Sequence, residues 1–198
     1  MEYALPFCRP GQTIGLLGGS FDPPHVGHVH ISREAMRRFG LDQVWWLVSP
    51  GNPLKDKGPA PLADRMGACR VQLNHPRMWA SDFEAQAGTR YTAESLAALQ
   101  QARRGVRFVW LMGADNLAQF DRWKGWEDIL HRVPVGVLAR PGQRISARMS
   151  KAARVYAPYR IKGRHSLLLP HSKTPAWCFV NVPMRHISST ALRQSGDW

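Results

Sequence analysis

Apolar residues fall in short continuous runs, separated by amphipathic stretches. Thr13–Gly18 (TIGLLG), Val44–Val48, Phe108–Met112 (FVWLM) and Val133–Leu138 are nearly apolar throughout. Runs of this length, closed by Gly and Pro clusters, read as strands buried on both faces. Met78–Ala80 and Cys178–Val182 read as shorter strands. Helical spacing predicts helices over residues 27–39, with Val29, Ala35, Met36 and Phe39 inward, and over 62–73. A further helix is predicted over Thr92–Arg103, capped by Thr92, with Leu96 and Leu99 inward. A broken helical stretch follows over 115–131, and a last helix opens at Ser188–Gln194. Strands that alternate with helices imply a parallel sheet covered on both faces, a doubly wound, Rossmann-like α/β/α arrangement. Residues 142–175 break the pattern. They hold Pro, Ser and many basic or histidine side chains, and read as helix plus loop.

The chain has 198 residues, enough for one sizeable core and short for two. With no repeat and no linker in view, residues 1–198 are expected to form one domain. No apolar run approaches the ~20 residues that cross a membrane. The N-terminus lacks the charged and apolar regions of a signal peptide. Cys8, Cys69 and Cys178 are widely spaced and odd in number, which suits reduced thiols in a cytoplasm rather than a disulfide framework or a CxxC metal site.

Charge changes the picture. The formal net charge is +13. Residues 1–128 carry 15 Lys/Arg and 13 Asp/Glu, a balance of +2, whereas residues 129–198 carry 12 Lys/Arg and only Asp197, a balance of +11. A basic face attracts polyanions: nucleotides, pyrophosphate or nucleic acid. It also serves as a solvated surface that keeps a protein soluble.

Chemistry concentrates behind the first strand, in GGSFDPPHVGH. In an open parallel sheet, ligands bind outside the carboxyl ends of the strands. Gly18 and Gly19 leave room for close approach of backbone to ligand. Asp22-Pro23-Pro24 stiffens the loop. His25 and His28, three apart at a helix start, share one face, and a helix N-terminus suits phosphate. The loop is neither a Walker A sequence nor GxGxxG, which argues against a simple dehydrogenase. A metal site built on the two histidines would need further ligands, and no cluster supplies them.

Near the other end lies Ile187-Ser188-Ser189-Thr190-Ala191-Leu192-Arg193. Its hydroxyls and backbone N–H groups open a helix, and the Arg193 fork can grip phosphate oxygens. By itself the segment is a good helix cap. Lys55, in Asn52-Pro53-Leu54-Lys55 behind the second strand, is placed to reach an anion. Trp123 offers a face on which a flat ring can stack.

The pattern GGxFDPxHxGH resembles that of adenylyltransferases that make pyridine dinucleotides, within the nucleotidyltransferase superfamily marked by His-x-Gly-His. ISSTALR resembles the ISSTxxR signature of the same family. YTAESL, Gly113-Ala114-Asp115-Asn116 and the RWxxW segment also match it, so the resemblance covers most of residues 13–193 and thins over 142–175. Many relatives continue well past ISSTxxR, whereas this sequence stops five residues after Arg193.

The resemblance to bacterial nicotinate-mononucleotide adenylyltransferases implies AMP transfer from ATP to nicotinate mononucleotide. The products are deamido-NAD and pyrophosphate, a step of NAD biosynthesis, and no covalent enzyme intermediate forms. His25, His28, Arg193 and Lys55 would be catalytic. Gly18, Gly19, Ser20, Phe21, Asp115, Arg140, Ser188, Ser189 and Thr190 would bind ATP. Tyr91, Thr92 and Trp123 would surround the nicotinate. Mg²⁺ would arrive on ATP, held mainly by phosphates and water, with no tightly bound cofactor and no protein metal site. Nicotinamide mononucleotide or phosphopantetheine remains open as acceptor. A nucleic-acid-binding module, suggested by the basic last third, leaves both motifs unexplained. Self-association is left open.

Overall fold

The apolar runs become strands of one parallel sheet. The structure, a computed structural model, describes residues 3–51, 58–139, 144–183 and 189–195. Its strands are β1 Thr13–Gly19, β2 Gln43–Val48, β3 Met78–Ser81, β4 Arg107–Gly113, β5 Val135–Ala139, β6 Arg160–Ile161 and β7 Trp177–Asn181. They lie in the order β3-β2-β1-β4-β5-β7-β6, and every neighbouring pair is parallel. In β1, Leu16 stands beside Trp45 on one side and Trp110 on the other.

The period of two along each strand divides the core in two. Ile14, Leu16, Trp45, Leu47, Phe108, Trp110, Val135 and Val137 enter one cluster. Leu17, Val44, Trp46, Val109, Leu111 and Leu138 enter the other. Helices α1 (Val26–Phe39) and α2 (Leu62–Gln72) cover the second face. The first face is covered by α3 (Phe83–Ala87), α4 (Thr92–Ala102), α5 (Ala114–Ala118) and α6 (Trp126–Arg132), with α7 (Arg144–Arg148) and α8 (Lys151–Val155) beyond them. The last helix, α9, runs Ser189–Ser195.

Several expectations shift. Thr92 does not cap α4: the capping position is Tyr91, with no side-chain hydrogen bond there, and Thr92 is the first helical residue. Leu96 and Leu99 are buried as expected, but in α1 the buried positions are Gly27, Ile31, Ser32, Ala35, Met36 and Phe39, and Val29 is only partly buried. The broken stretch after β4 resolves into α5, a 3-10 turn at Phe120–Arg122 and α6. The fifth strand begins at Val135 because Pro134 has no N–H to give to a sheet. The segment over 142–175 contains α7, α8, the two-residue strand β6 and a 3-10 segment at Gly163–His171 packed on the α1 face through Leu169. Both α3 and β6 are too short for periodicity to reveal.

Candidate active site

The strand order places a switch point beside β1. The chain leaves β1 to build β2 and β3 on one side, and returns as β4 on the other. Loops behind adjacent strands part there, opening a crevice at the carboxyl ends. The loop behind β1 enters it at Gly18. A Cβ at Gly18 would run into the Trp110 ring of β4, so packing itself requires glycine here. Phe21 then takes a left-handed conformation, φ 48°, uncommon for a bulky residue and costing on the order of 1–3 kcal/mol. Its ring is 3% exposed and stacks on Trp46 at 4.8 Å and 10°. The Phe21 side chain is therefore part of the core. What this residue can offer a nucleotide is its backbone.

Phe21 and Trp46 support the histidines. The His28 ring lies 4.9 Å from Phe21 and 5.7 Å from Trp46. The Trp46 indole donates to Ser32 Oγ at 2.8 Å, and that hydroxyl donates to the His28 carbonyl at 2.9 Å. His25 is the N-cap of α1. Its Nδ1 accepts from Gly27 N–H at 3.1 Å, while His28 Nδ1 accepts from His25 N–H at 3.2 Å. This is a capping box made of two imidazoles, stacked with centroids 3.9 Å apart. A ring nitrogen that accepts carries no proton, so each neutral imidazole holds its proton on Nε2. The cap thus fixes two Nε2–H donors on one face of the helix start. His30 is turned elsewhere, its Nε2 3.0 Å from the Pro183 carbonyl.

The two ends of the sequence meet on this loop. Ser189 donates to the Pro23 carbonyl at 2.8 Å across 166 residues. Arg193 donates to the Asp22 carbonyl and lies 3.8 Å from the Asp22 carboxylate, and its Nη2 donates to Thr190 Oγ1 at 3.3 Å. Asp22 Oδ1 also accepts from Ala60 N–H at 3.4 Å. The aspartate joins three segments, a role beyond loop stiffening.

Across the switch point lies an aromatic half-site. Trp123 is half-buried, with its ring edge-on to Trp110 at 6.3 Å and to Phe120 at 5.4 Å. Gly125 has φ 68°, and a Cβ on it would stand 3.1 Å from that of Ala93. Glycine at this point lets the Trp123 segment close onto the start of α4, where Tyr91 and Thr92 lie. Lys124 sits 4.1 Å over the Tyr91 ring. The Trp110 indole N–H, buried beside Trp123, has no hydrogen-bond partner among the described residues, and a substrate oxygen or a water can satisfy it. The carboxylate of Asp115 folds over Gly113 at the end of β4, where a Cβ would run into it. Behind α4, Glu84 is buried, which pushes its carboxyl up to about 6, while a hydrogen bond from Ser95 Oγ at 2.9 Å pulls the other way.

The structure thus groups Gly18, Gly19, Ser20, His25, His28, Ser189, Thr190 and Arg193 around one loop, and Tyr91, Thr92 and Trp123 on the opposite wall. Lys55, Arg140 and Ser188 lie outside the described residues. Sequence reasoning passed over Trp46, Ser32 and Arg65. A tryptophan in a buried strand and a serine in a helix carry no local signal. An arginine inside a helix whose neighbours face a core was the one readable anomaly.

A parallel sheet with two imidazoles and a guanidinium gathered at its switch point defines an α/β protein of the nucleotide-binding kind. The cytidylyltransferase-like family profile matches residues 16–195. A probable nicotinate-nucleotide adenylyltransferase of Ruegeria pomeroyi is 64% identical over the whole of this chain and 93% of its own length. One of Parvibaculum lavamentivorans is 46% identical over 96% of this chain and 94% of its own. The chain belongs to the cytidylyltransferase-like family, in its nicotinate-nucleotide adenylyltransferase branch. The fold is shared with a Plasmodium falciparum nicotinic acid mononucleotide adenylyltransferase solved with NaAD, at a TM-score of 0.69 and 17% identity over 92% of this chain and 83% of that one.

Proposed function

We propose that this protein transfers the adenylyl group of ATP to nicotinate mononucleotide, giving nicotinate adenine dinucleotide and pyrophosphate. The 5′-phosphate oxygen of the mononucleotide attacks the α-phosphorus in line, and the bond to the β-phosphate oxygen breaks. Positioning and charge stabilisation supply most of the rate in such transfers. His25 and His28 donate through Nε2–H to phosphate oxygens, Arg193 exchanges part of its contact with Asp22 for the triphosphate, and Lys55 adds charge. Ser188, Ser189 and Thr190 line the same phosphates, and Asp115 and Arg140 flank the nucleoside. Each donor aimed at developing charge is worth about 3–4 kcal/mol, or 10²–10³ in rate. The nicotinate ring lies on Trp123, beside Tyr91 and Thr92. ATP enters as its Mg²⁺ complex, with the ion held mainly by phosphates and water.

The observation that carries this reading is the docking of Ser189 and Arg193 on the loop that presents His25 and His28, opposite an aromatic wall. Among the described residues no helix is long and apolar enough to cross a membrane. With three free thiols, the reading places the enzyme in a reducing cytoplasm. The test is a product assay with MgATP and either nicotinate or nicotinamide mononucleotide, dinucleotides being separated by chromatography. Faster nicotinate dinucleotide formation with equimolar pyrophosphate is expected. Faster reaction of the amide would move the assignment to direct NAD synthesis, and no dinucleotide from either would remove it.

A further inference from the structure

Arg65 belongs to neither motif, yet it is the largest buried charged side chain of the described core, 0% exposed in α2. Its Nε donates to the Ala60 carbonyl at 2.7 Å. Its Nη1 donates to Ser20 O at 2.6 Å and Ser49 O at 2.8 Å, and Nη2 reaches Pro50 O at 3.4 Å. Ser20 lies on the loop behind β1, Ser49 and Pro50 lie behind β2, and Ala60 stands at the entrance to α2. The β1–β2 ladder ends here with Ser49 N–H donating to the Gly19 carbonyl at 3.0 Å, and one planar fork ties the two loops that part beyond it to each other and to the entrance of α2.

The company Arg65 keeps is unusual for a buried cation. Such groups are normally paired with a carboxylate, but among the described residues Arg65 forms no ion pair. Asp22 and Cys69 act on it only at longer range. Its donors are satisfied by carbonyl oxygens, one of them Ser20 O on the loop behind β1, and the Asp22 carboxylate of that loop acts on it electrostatically. A residue kept for stability alone would need neither feature: methionine or leucine would fill the volume without the desolvation cost.

We propose that Arg65 is a positioning residue for adenylyl transfer, its fork setting the spacing between the loops behind β1 and β2. This rests on the reading above that ATP phosphates lie on the β1–α1 loop. Arg65 acts through Ser20 and the loop that follows it, and does not itself touch substrate.

The test compares R65K, which keeps the charge and the stem but loses the fork, with R65M, which keeps only the volume. ATP binding is read by calorimetry without acceptor, and kcat and KM for both substrates by steady-state assay. R65K is expected to stay folded, to bind ATP about tenfold more weakly and to lose about tenfold in kcat, with KM for nicotinate mononucleotide moving less than about threefold. R65M is expected to lose about 10² in kcat, the scale of a 1 Å misplacement. R65K with unchanged ATP affinity and kcat would overturn the proposal, and so would equal shifts in KM for both substrates. R65K decides the matter even where R65M does not fold. A wild-type protein that binds ATP but makes no dinucleotide would fail the proposed function and leave the calorimetric comparison standing.

Discussion

Arg193 reaches back 171 residues to the Asp22 carbonyl and sits 3.8 Å from its carboxylate. The contact closes the phosphate loop with the last described helix, and it holds the guanidinium near the place where triphosphate charge would lie. Docking and charge can be separated by substitution. Ser189→Ala removes only the hydrogen bond to Pro23 and should cost less than about tenfold in kcat, since a single hydrogen bond contributes about 1 kcal/mol. Arg193→Ala removes docking and charge together and should cost about 10²–10³. Steady-state kinetics on the two variants checks this ordering.

His25 caps α1, and the proposed mechanism gives it a chemical use as well. As N-cap of α1 it contributes about 1 kcal/mol to stability, and asparagine serves that position as well. His25→Asn should therefore melt close to the wild type, whereas His25→Ala should melt lower. Both should lose about 10²–10³ in kcat, because neither offers Nε2–H. Thermal melts set beside kcat give the answer. An asparagine variant with full turnover would reduce His25 to a cap.

The aromatic wall should govern the acceptor alone. Stacking on an aromatic side chain is worth about 1–3 kcal/mol by alanine substitution, so Trp123→Ala should raise KM for the mononucleotide by roughly 10–100-fold while leaving KM for ATP nearly unchanged. Trp123→Phe should recover much of the loss. Equal movement of both KM values would place Trp123 in the packing around Phe120 only.

Glu84 gives the stability a dependence on pH. In the fold its carboxyl titrates near 6, against 4.5 without burial. Between those values the folded chain binds more protons than the unfolded one, so this group lowers stability as pH rises through the window. Above it the penalty is about 2 kcal/mol. Glu84→Gln should therefore melt above the wild type at pH 7.5, with the gap closing as pH falls towards 4.5. Melting curves at three pH values test the sign.

Much of this fold was legible because the central strands announce themselves. Ile14–Leu17, Trp45–Val48 and Phe108–Met112 are apolar on consecutive positions, and only a strand with both faces covered uses them all. The helix faces were less legible. Ser32 carries no local signal of burial, yet it is buried, where its hydroxyl accepts from the Trp46 indole and donates to the His28 carbonyl. Thr92 reads as a cap, but the helix begins with it. The histidines and the Arg193 segment were readable from residue type and spacing. Their junction at Asp22 and Pro23 was not, because a contact across 166 residues leaves no local trace. Arg65 was readable only as a charged residue among core-facing neighbours in α2; its partners were not, since all are backbone carbonyls, which every sequence possesses.

The sheet also keeps the two walls of the crevice on separate foundations. Phe21 and Trp46, which carry the histidines, belong to the cluster on the α1 face, whereas Trp110 and Phe120, which hold Trp123, belong to the cluster on the other face. The two foundations meet where Gly18 packs on the Trp110 ring, so that junction is the place where a change in one wall would be felt by the other. Away from that junction, side chains around α4 and the 3-10 turn share no cluster with Phe21 and Trp46, which leaves the aromatic wall open to repacking under an unaltered pair of histidines.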